Sequence, residues 1–366
     1  MSGRNIVCVA GARPNFMKVA PVLRALASRP GLAGVLVHTG QHYDPNMSDS
    51  FLRDLELPPP AVHLGVGSAS HGVQTARIME SFEQALPALD PALVLVVGDV
   101  NSTIACALVA VKQGVPVAHV EAGLRSFDRT MPEEINRILT DQIAEHLFTT
   151  EDSAGENLAR EGIPPERVHF TGNTMIDTLV HLMPRIEAAR ARAPLGLPAG
   201  GYAVVTLHRP GNVDSPARLG ALVELLAGIA RRLPVVFPIH PRTRANLARF
   251  GLEGRLAGSR VLLLEPQPYP AFLSLVRECR FVLTDSGGLQ EETTFLGVPC
   301  ITQRATTERP VTTRLGTNRL VGEDPAAARR AIDALLDGDV PRGTVPPLWD
   351  GRCAERIVAV LEERLR

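Results

Sequence analysis

The chain has 366 residues, 45% of them hydrophobic, with Lys+Arg 38 against Asp+Glu 39 and a formal net charge of -1. That length suits roughly two domains of about 100 to 200 residues, and the balanced charge supplies no overall field toward nucleic acid or an anionic membrane. No apolar run approaches the roughly 20 residues that span a bilayer. The N-terminus runs straight into a short strand, and Cys8, Cys106, Cys279, Cys300 and Cys353 stand singly, without zinc or disulfide spacing. A reduced cytoplasmic protein with neither signal peptide nor membrane anchor is expected.

Ile6 to Ala10 is a β-type run, followed by Gly11-Ala12-Arg13-Pro14 and a helical period from Phe16 to Leu26. Arg13 and Lys18 fall near that helix start, where the dipole has no use for a cation; they either face an anion or form a solvated basic face. Val35 to Thr39 is the next strand. It ends in the polar run Gly40-Gln41-His42-Tyr43-Asp44, whose chemistry the sequence leaves open. After the rigid loop Leu57-Pro58-Pro59-Pro60, Gln74 to Ala85 reads as a helix.

Val94 to Val97, Ser102 to Val111 and Val115 to Val120 make one strand-helix-strand unit whose strands end at Gly98-Asp99 and at Glu121. Parallel strands put those ends on one edge, so Asp99 and Glu121 are expected in a common crevice. Crowding of two acids there raises a carboxyl pKa toward the range useful for proton transfer. Pro132 suits a first helical position, and Glu133, Glu134 and Arg137 behind it fit an ordinary helix-face ion pair. Short strands at Phe148 to Glu151 and Arg167 to Gly172 flank a helix near Ser153 to Glu161, and the piece from Glu187 to Gly201 reads as the interdomain connection.

The second half repeats the pattern. Strands end at His208-Arg209, at His240-Pro241-Arg242, at Glu265-Pro266-Gln267, at Asp285 and at Gln303, with helices between them. In Asp285-Ser286-Gly287-Gly288 the paired glycines allow close backbone approach at a helix start whose free N–H groups and dipole suit a phosphate. Glu291 and Glu292 are placed in the first turn, at least one of them accepting hydrogen bonds from sugar hydroxyls. Cys353 to Leu365 is an amphipathic helix. Both halves read as doubly wound α/β domains with polar strand ends, the cleft between them being the expected active site. No G-x-G-x-x-G follows the first strand, no Walker motif occurs, and no spacing argues for a metal.

Taken together, these segments resemble the bacterial, non-hydrolysing UDP-N-acetylglucosamine 2-epimerases. The matching pieces are Gly11-Ala12-Arg13-Pro14 with Lys18, Thr39 to His42, Gly98-Asp99, His119 to Arg125, Pro132-Glu133-Glu134 with Asn136-Arg137, and Gly172-Asn173-Thr174; then Thr206 with His208-Arg209, Asp285 to Glu292, and Thr307 to Pro310. The resemblance implies the GT-B fold, with two Rossmann-like doubly wound domains over 1–175 and 201–350, a connection over 176–200, and a terminal helix over 351–366 packing back on the first domain. It implies inversion of C2 of a UDP-linked sugar without cofactor or metal: UDP leaves by elimination and adds back after protonation of the opposite face. Asp99, Glu121, Glu133 and His208 match the catalytic set. Arg13, Lys18, His240, Ser286, Gly287, Gly288 and Arg309 would hold the diphosphate and sugar, Glu292 the ribose, and Gln267 with Phe272 the uracil. A cytoplasmic homodimer serving polysaccharide biosynthesis is expected. Where the family often has a second arginine used near an activating substrate molecule, this chain has Pro210. A hydrolysing relative, a 2-epimerase of another nucleotide sugar, a GT-B glycosyltransferase and a non-catalytic sensor stay open as alternatives.

Overall fold

The short aliphatic runs become parallel strands in two sheets. The computed structural model describes residues 3–41 and 52–365, so His42, Tyr43 and Asp44 of the polar run lie outside the described residues. β1 (Arg4–Ala10), β2 (Leu32–His38), β3 (Val62–His63), β4 (Pro91–Val97), β5 (Val117–Ala122), β6 (His146–Thr149) and β7 (Val168–Phe170) form one sheet, ordered β3-β2-β1-β4-β5-β6-β7. β8 (Ala203–Thr206), β9 (Val235–Pro238), β10 (Val261–Leu264), β11 (Phe281–Thr284), β12 (Cys300–Thr302) and β13 (Asn318–Leu320) form the other, ordered β10-β9-β8-β11-β12-β13.

Parallel pairing demands crossovers, and right-handed crossovers lay helices on both faces. The strands are therefore buried from both sides and read as continuous aliphatic runs. Val7, Val9, Val94 and Val96 pack with Ile78 and Phe82 in one core; Val205, Leu283 and Ile301 pack with Leu222 and Phe237 in the other. All five cysteines are buried and unpaired. No described helix is long and apolar enough to cross a membrane.

The chain divides into two compact units, Met1–His181 with Pro347–Arg366, and Leu182–Pro346. The helix Thr174–Ala189 runs through what the sequence reads as connection. In the first unit the terminal helix Cys353–Arg364 packs on the helix Arg13–Ala27. Asp177 accepts from the N–H groups of Cys353 at 3.0 Å and Ala354 at 2.7 Å, satisfying two donors at the helix start.

Each sheet reverses strand order once, between β1 and β4 and between β8 and β11. At such a point the crossovers leave in opposite directions and open a crevice at the strand C-termini. Register then fixes the neighbours. Val97 lies opposite Val120, so Gly98-Asp99 and Glu121 leave adjacent strand ends. Thr206 lies opposite Thr284, so His208 and Asp285 do the same.

The returning chain is anchored by the single tryptophan: Trp349 is 2% exposed and donates from Nε1 to the Thr150 carbonyl at 2.9 Å. Replacing so large a buried side chain removes contacts that water cannot replace. Trp349→Ala is expected to cost about 3–5 kcal/mol of stability, read by circular dichroism in a denaturant titration; a loss below about 1 kcal/mol would show that this anchor does not hold the terminal helix.

Candidate active site

In the first unit β1 passes to the helix Arg13–Ala27 through Gly11 and Ala12. Asn15 locks this turn, accepting from the Ala12 N–H at 3.0 Å and donating to the Val97 carbonyl at 3.1 Å, so the helix start is tied to the end of β4. Arg13 is exposed there. One turn on, Lys18 is buried and donates from Nζ to Glu121 Oε2.

Glu121 takes φ 71° at the point where the β5–β6 register slips between Val120 and Ala122. A non-glycine residue held left-handed costs on the order of 1–3 kcal/mol, and a bulge of this kind re-aims its side chain. Gly98 faces the pair: a Cβ there would lie 2.9 Å from Lys18 Nζ and 3.2 Å from Glu121 Oε2. Gly98 itself takes φ 66°, a left-handed backbone that favours glycine.

Asp99 accepts from Arg137 Nη1, and Arg137 donates from Nη2 to Glu134 Oε2 at 2.8 Å. The helix-face pair of the sequence reading exists, but it extends to the strand end. The repulsion expected between Asp99 and Glu121 is met by a separate cation on each. Glu134 is buried and accepts from the N–H groups of Ser126 at 2.9 Å and Phe127 at 3.0 Å. Burial alone would push its carboxyl up, yet these donors and Arg137 hold it below the usual carboxylate range.

Asp99 and Glu133 share a pocket of about 260 Å³ with Gln41, His71, Gln74 and Asn101. The structure brings these two acids to one cavity, while Glu121 stays outside its lining. Beneath it, His119 Nε2 lies 2.8 Å from the Gly98 carbonyl and Nδ1 2.6 Å from Asp141 Oδ1. Asp141 also accepts from the Gly123 N–H at 3.0 Å and pairs with Arg125 at 2.7 Å. Burial works against its charge, but His119 and Arg125 prevail and hold its carboxyl below the ordinary range.

In the second unit Ser286 caps the helix Gly287–Leu296 with extended backbone and without a side-chain capping bond. The helix's first turn carries no acid: because Ser286 is the cap, Glu291 and Glu292 lie one turn further in than the sequence reading places them. A Cβ at Gly287 would stand 2.9 Å from Arg309 Nη1, so a side chain there would have to displace the end of Arg309. Arg309 is buried, with Nε 2.9 Å from Glu291 and Nη1 2.5 Å from Glu308, which Arg304 also holds at 2.7 Å.

Asp285 is fully buried and accepts from the N–H groups of His208 at 3.0 Å and Arg209 at 2.9 Å and from Asn212 Nδ2 at 3.0 Å. His208 Nδ1 lies 2.9 Å from Asp285 Oδ1, which orients its ring beside that of His240, centroids 5.6 Å apart. Burial, then His208 and Arg242, push the His240 imidazole pKa down. Pro210 opens the short helix Pro210–Val213, where its missing N–H costs nothing. Glu292 is buried and accepts from the Tyr269 hydroxyl at 2.8 Å; burial pushes its carboxyl up to about 8, with Glu291 adding to the rise. Gln267 donates to the Glu265 carbonyl at 2.8 Å, and Phe272 is half-buried on the helix Tyr269–Arg277.

The sequence reading missed His71, Gln74 and Asn101 at the pocket, and the His119–Asp141 pair beneath it. It started the second helix at Gln74, whereas that helix begins at His71. The polar run Ser68-Ala69-Ser70-His71 was the available signal, since a serine before a helical stretch is a capping residue. Among the described residues no group of three or more His, Cys, Asp and Glu is placed to hold a metal ion.

The sequence model described as UDP-N-acetylglucosamine 2-epimerase matches residues 24–362. A UDP-N-acetylglucosamine 2-epimerase of Methanocaldococcus jannaschii is 41% identical over 359 residues, covering 96% of this chain and 97% of that one. A UDP-2,3-diacetamido-2,3-dideoxy-D-glucuronate 2-epimerase of Pseudomonas aeruginosa is 42% identical over 321 residues, 87% of this chain and 88% of that one. The crystal structure of the M. jannaschii UDP-GlcNAc 2-epimerase in complex with UDP-GlcNAc and UDP superimposes with a TM-score of 0.90 at 40% identity, covering 98% of this chain and 99% of that one. With its two doubly wound, GT-B-like sheets and these relatives spanning nearly its whole length, the chain belongs to the UDP-N-acetylglucosamine 2-epimerase family.

Proposed function

We propose that this isomerase interconverts UDP-N-acetylglucosamine and UDP-N-acetylmannosamine by inverting C2 of the sugar. The observation that carries the reading is the pocket in which Asp99 and Glu133 stand together, in a chain of this family. The C2 hydrogen has no adjacent ketone to acidify it. A base takes that proton, the C2–H electrons form a C1=C2 bond, and the C1–O electrons leave with UDP. Re-addition reverses the flow: a second acid protonates C2 on the opposite face, and a UDP oxygen bonds C1.

Two groups on opposite faces are therefore needed, and Asp99 and Glu133 are the proposed pair. Glu121, packed against Gly98 beside Asp99, and His208, oriented by Asp285, complete the acid–base set. Departure of UDP builds charge on the diphosphate, which fixed donors stabilise. The amides at Ser286, Gly287 and Gly288, with Arg13 and His240, are proposed to supply them, and Lys18 and Arg309 act from within their ion pairs. Glu292 takes the ribose, and Gln267 with Phe272 the uracil. Carried over from the family resemblance, we propose a cytoplasmic homodimer that supplies polysaccharide biosynthesis. The P. aeruginosa relative favours one second reading, a UDP-linked diacetamido uronate as substrate.

Incubation with UDP-N-acetylglucosamine in deuterated water is expected to place deuterium at C2 of a UDP-linked manno product, followed by NMR. Deuterated free sugar with UDP would mean hydrolysis, and an unlabelled C2 would remove the epimerase reading. In the same assay Asp99→Asn is expected to abolish exchange while UDP affinity stays within about tenfold; collapse of the fold would make Asp99 structural. Light scattering is expected to give about twice the chain mass of 39.3 kDa, and a monomer would refute the dimer.

Glu292 adds a pH dependence. Its folded pKa, about 8, lies above the ordinary carboxyl value of 4.5, so the folded state holds a proton that the unfolded chain releases. Stability from this group is complete below the unfolded pKa and is lost as pH rises through the folded one. Denaturant titrations between those two values should show a decline that Glu292→Gln flattens; an equal slope in the variant would assign the decline elsewhere.

A further inference from the structure

His71 belongs to the same pocket as Asp99 and Glu133, yet the mechanism above gives it no task. It is the first residue of the helix His71–Ala85, which follows the extended Ser70. Its ring is held from one side only: Nδ1 lies 3.2 Å from Asn101 Nδ2 and 3.3 Å from Asn101 Oδ1. No described residue bonds Nε2.

The amides that hold this imidazole are themselves fixed. Gln74 donates from Nε2 to the carbonyls of Gln41 at 3.1 Å and Gly67 at 2.9 Å, which leaves its oxygen to accept from Asn101 Nδ2 at 2.8 Å. Asn136 donates to the Asp99 carbonyl at 2.9 Å and reaches Asn101 Oδ1 at 3.4 Å. Gln74, Asn101 and Asn136 are all buried. An unbroken set of satisfied amides thus runs from the backbone of Asp99 to the ring of an exposed histidine. Helix capping does not explain it, because the ring bonds a side chain of another helix, Asn101–Lys112. Buried polar networks of this kind fix the geometry of the group they support.

We propose that His71 is a substrate-contacting residue of this pocket, its Nε2 hydrogen-bonded to a hydroxyl of the sugar ring. A hydroxyl both donates and accepts, so it pairs with either imidazole tautomer. The contact sets the height of the ring against Asp99 and Glu133, where a small displacement of C2 would take it out of reach of one acid. This inference rests on the epimerase reading and assigns a recognition role on the sugar side of the same site.

The test compares His71→Ala and His71→Asn with wild type, using UDP and UDP-N-acetylglucosamine as separate probes. His71→Ala is expected to lower kcat/KM for C2 deuterium exchange about tenfold or more, the size of one hydrogen bond to substrate. Affinity for UDP, which lacks the sugar, should stay within about twofold, and His71→Asn should recover part of the loss. An unchanged kcat/KM in His71→Ala overturns the proposal, and so does a parallel loss of UDP affinity or of thermal stability. Wild-type turnover tests the functional reading separately. If wild type binds UDP-N-acetylglucosamine without turning it over, the ratio of its dissociation constant to that of UDP still decides: a ratio unaltered in His71→Ala overturns the contact, and a collapsed ratio upholds it.

Discussion

Asp141 has no exposure to solvent, and its carboxylate is where the C-terminal edge of the first sheet is tied together. It gathers an imidazole, a guanidinium and a backbone N–H from His119, Arg125 and Gly123. A buried carboxylate survives only with such company. Through His119 the constraint reaches the Gly98 carbonyl, and so the residue before Asp99. Through the helix Pro132–Ile143, which carries Asp141 itself, it reaches Glu133, Glu134 and Arg137. The two acids of the pocket are thus hung from one interior charge.

The second unit solves the same problem with the same part. Asp285 is a buried strand-end carboxylate that collects N–H groups and a histidine from the neighbouring strand end. Both units therefore place a histidine–aspartate pair near strand C-terminal ends, at the β8/β11 switch point in the second and one strand over, beside β4 and β5, in the first, but with different results. In the first the histidine is sealed and acts as a strut; in the second it is half-exposed and available. A common topology is thus filled differently at a few strand ends.

The fold was legible because parallel strands buried on both faces leave uninterrupted runs such as Val94 to Val97, each stopped by glycine or a polar turn. The strand-end residues were legible for the same reason, being the first polar groups after those runs. The partners were not. Nothing local to Lys18 announces Glu121, which lies 103 residues away, and nothing local to Asp99 announces that Arg137 reaches it. Pairings across crossovers depend on register and sheet order, which periodicity does not encode. His71 escaped for a different reason: its serine-rich approach reads as loop, and its importance comes from amides on other helices.

One feature of these pairings bears on how a phosphorylated ligand would be met. Lys18 is neutralised by Glu121 within a hydrogen-bond length, Arg309 and Arg304 together by Glu291 and Glu308, and Arg137 is outnumbered by Asp99 and Glu134. Charges cancelled so closely cast almost no potential beyond a few ångströms. These paired cations therefore draw no anion from afar, and ionic strength has little leverage on their share of an encounter.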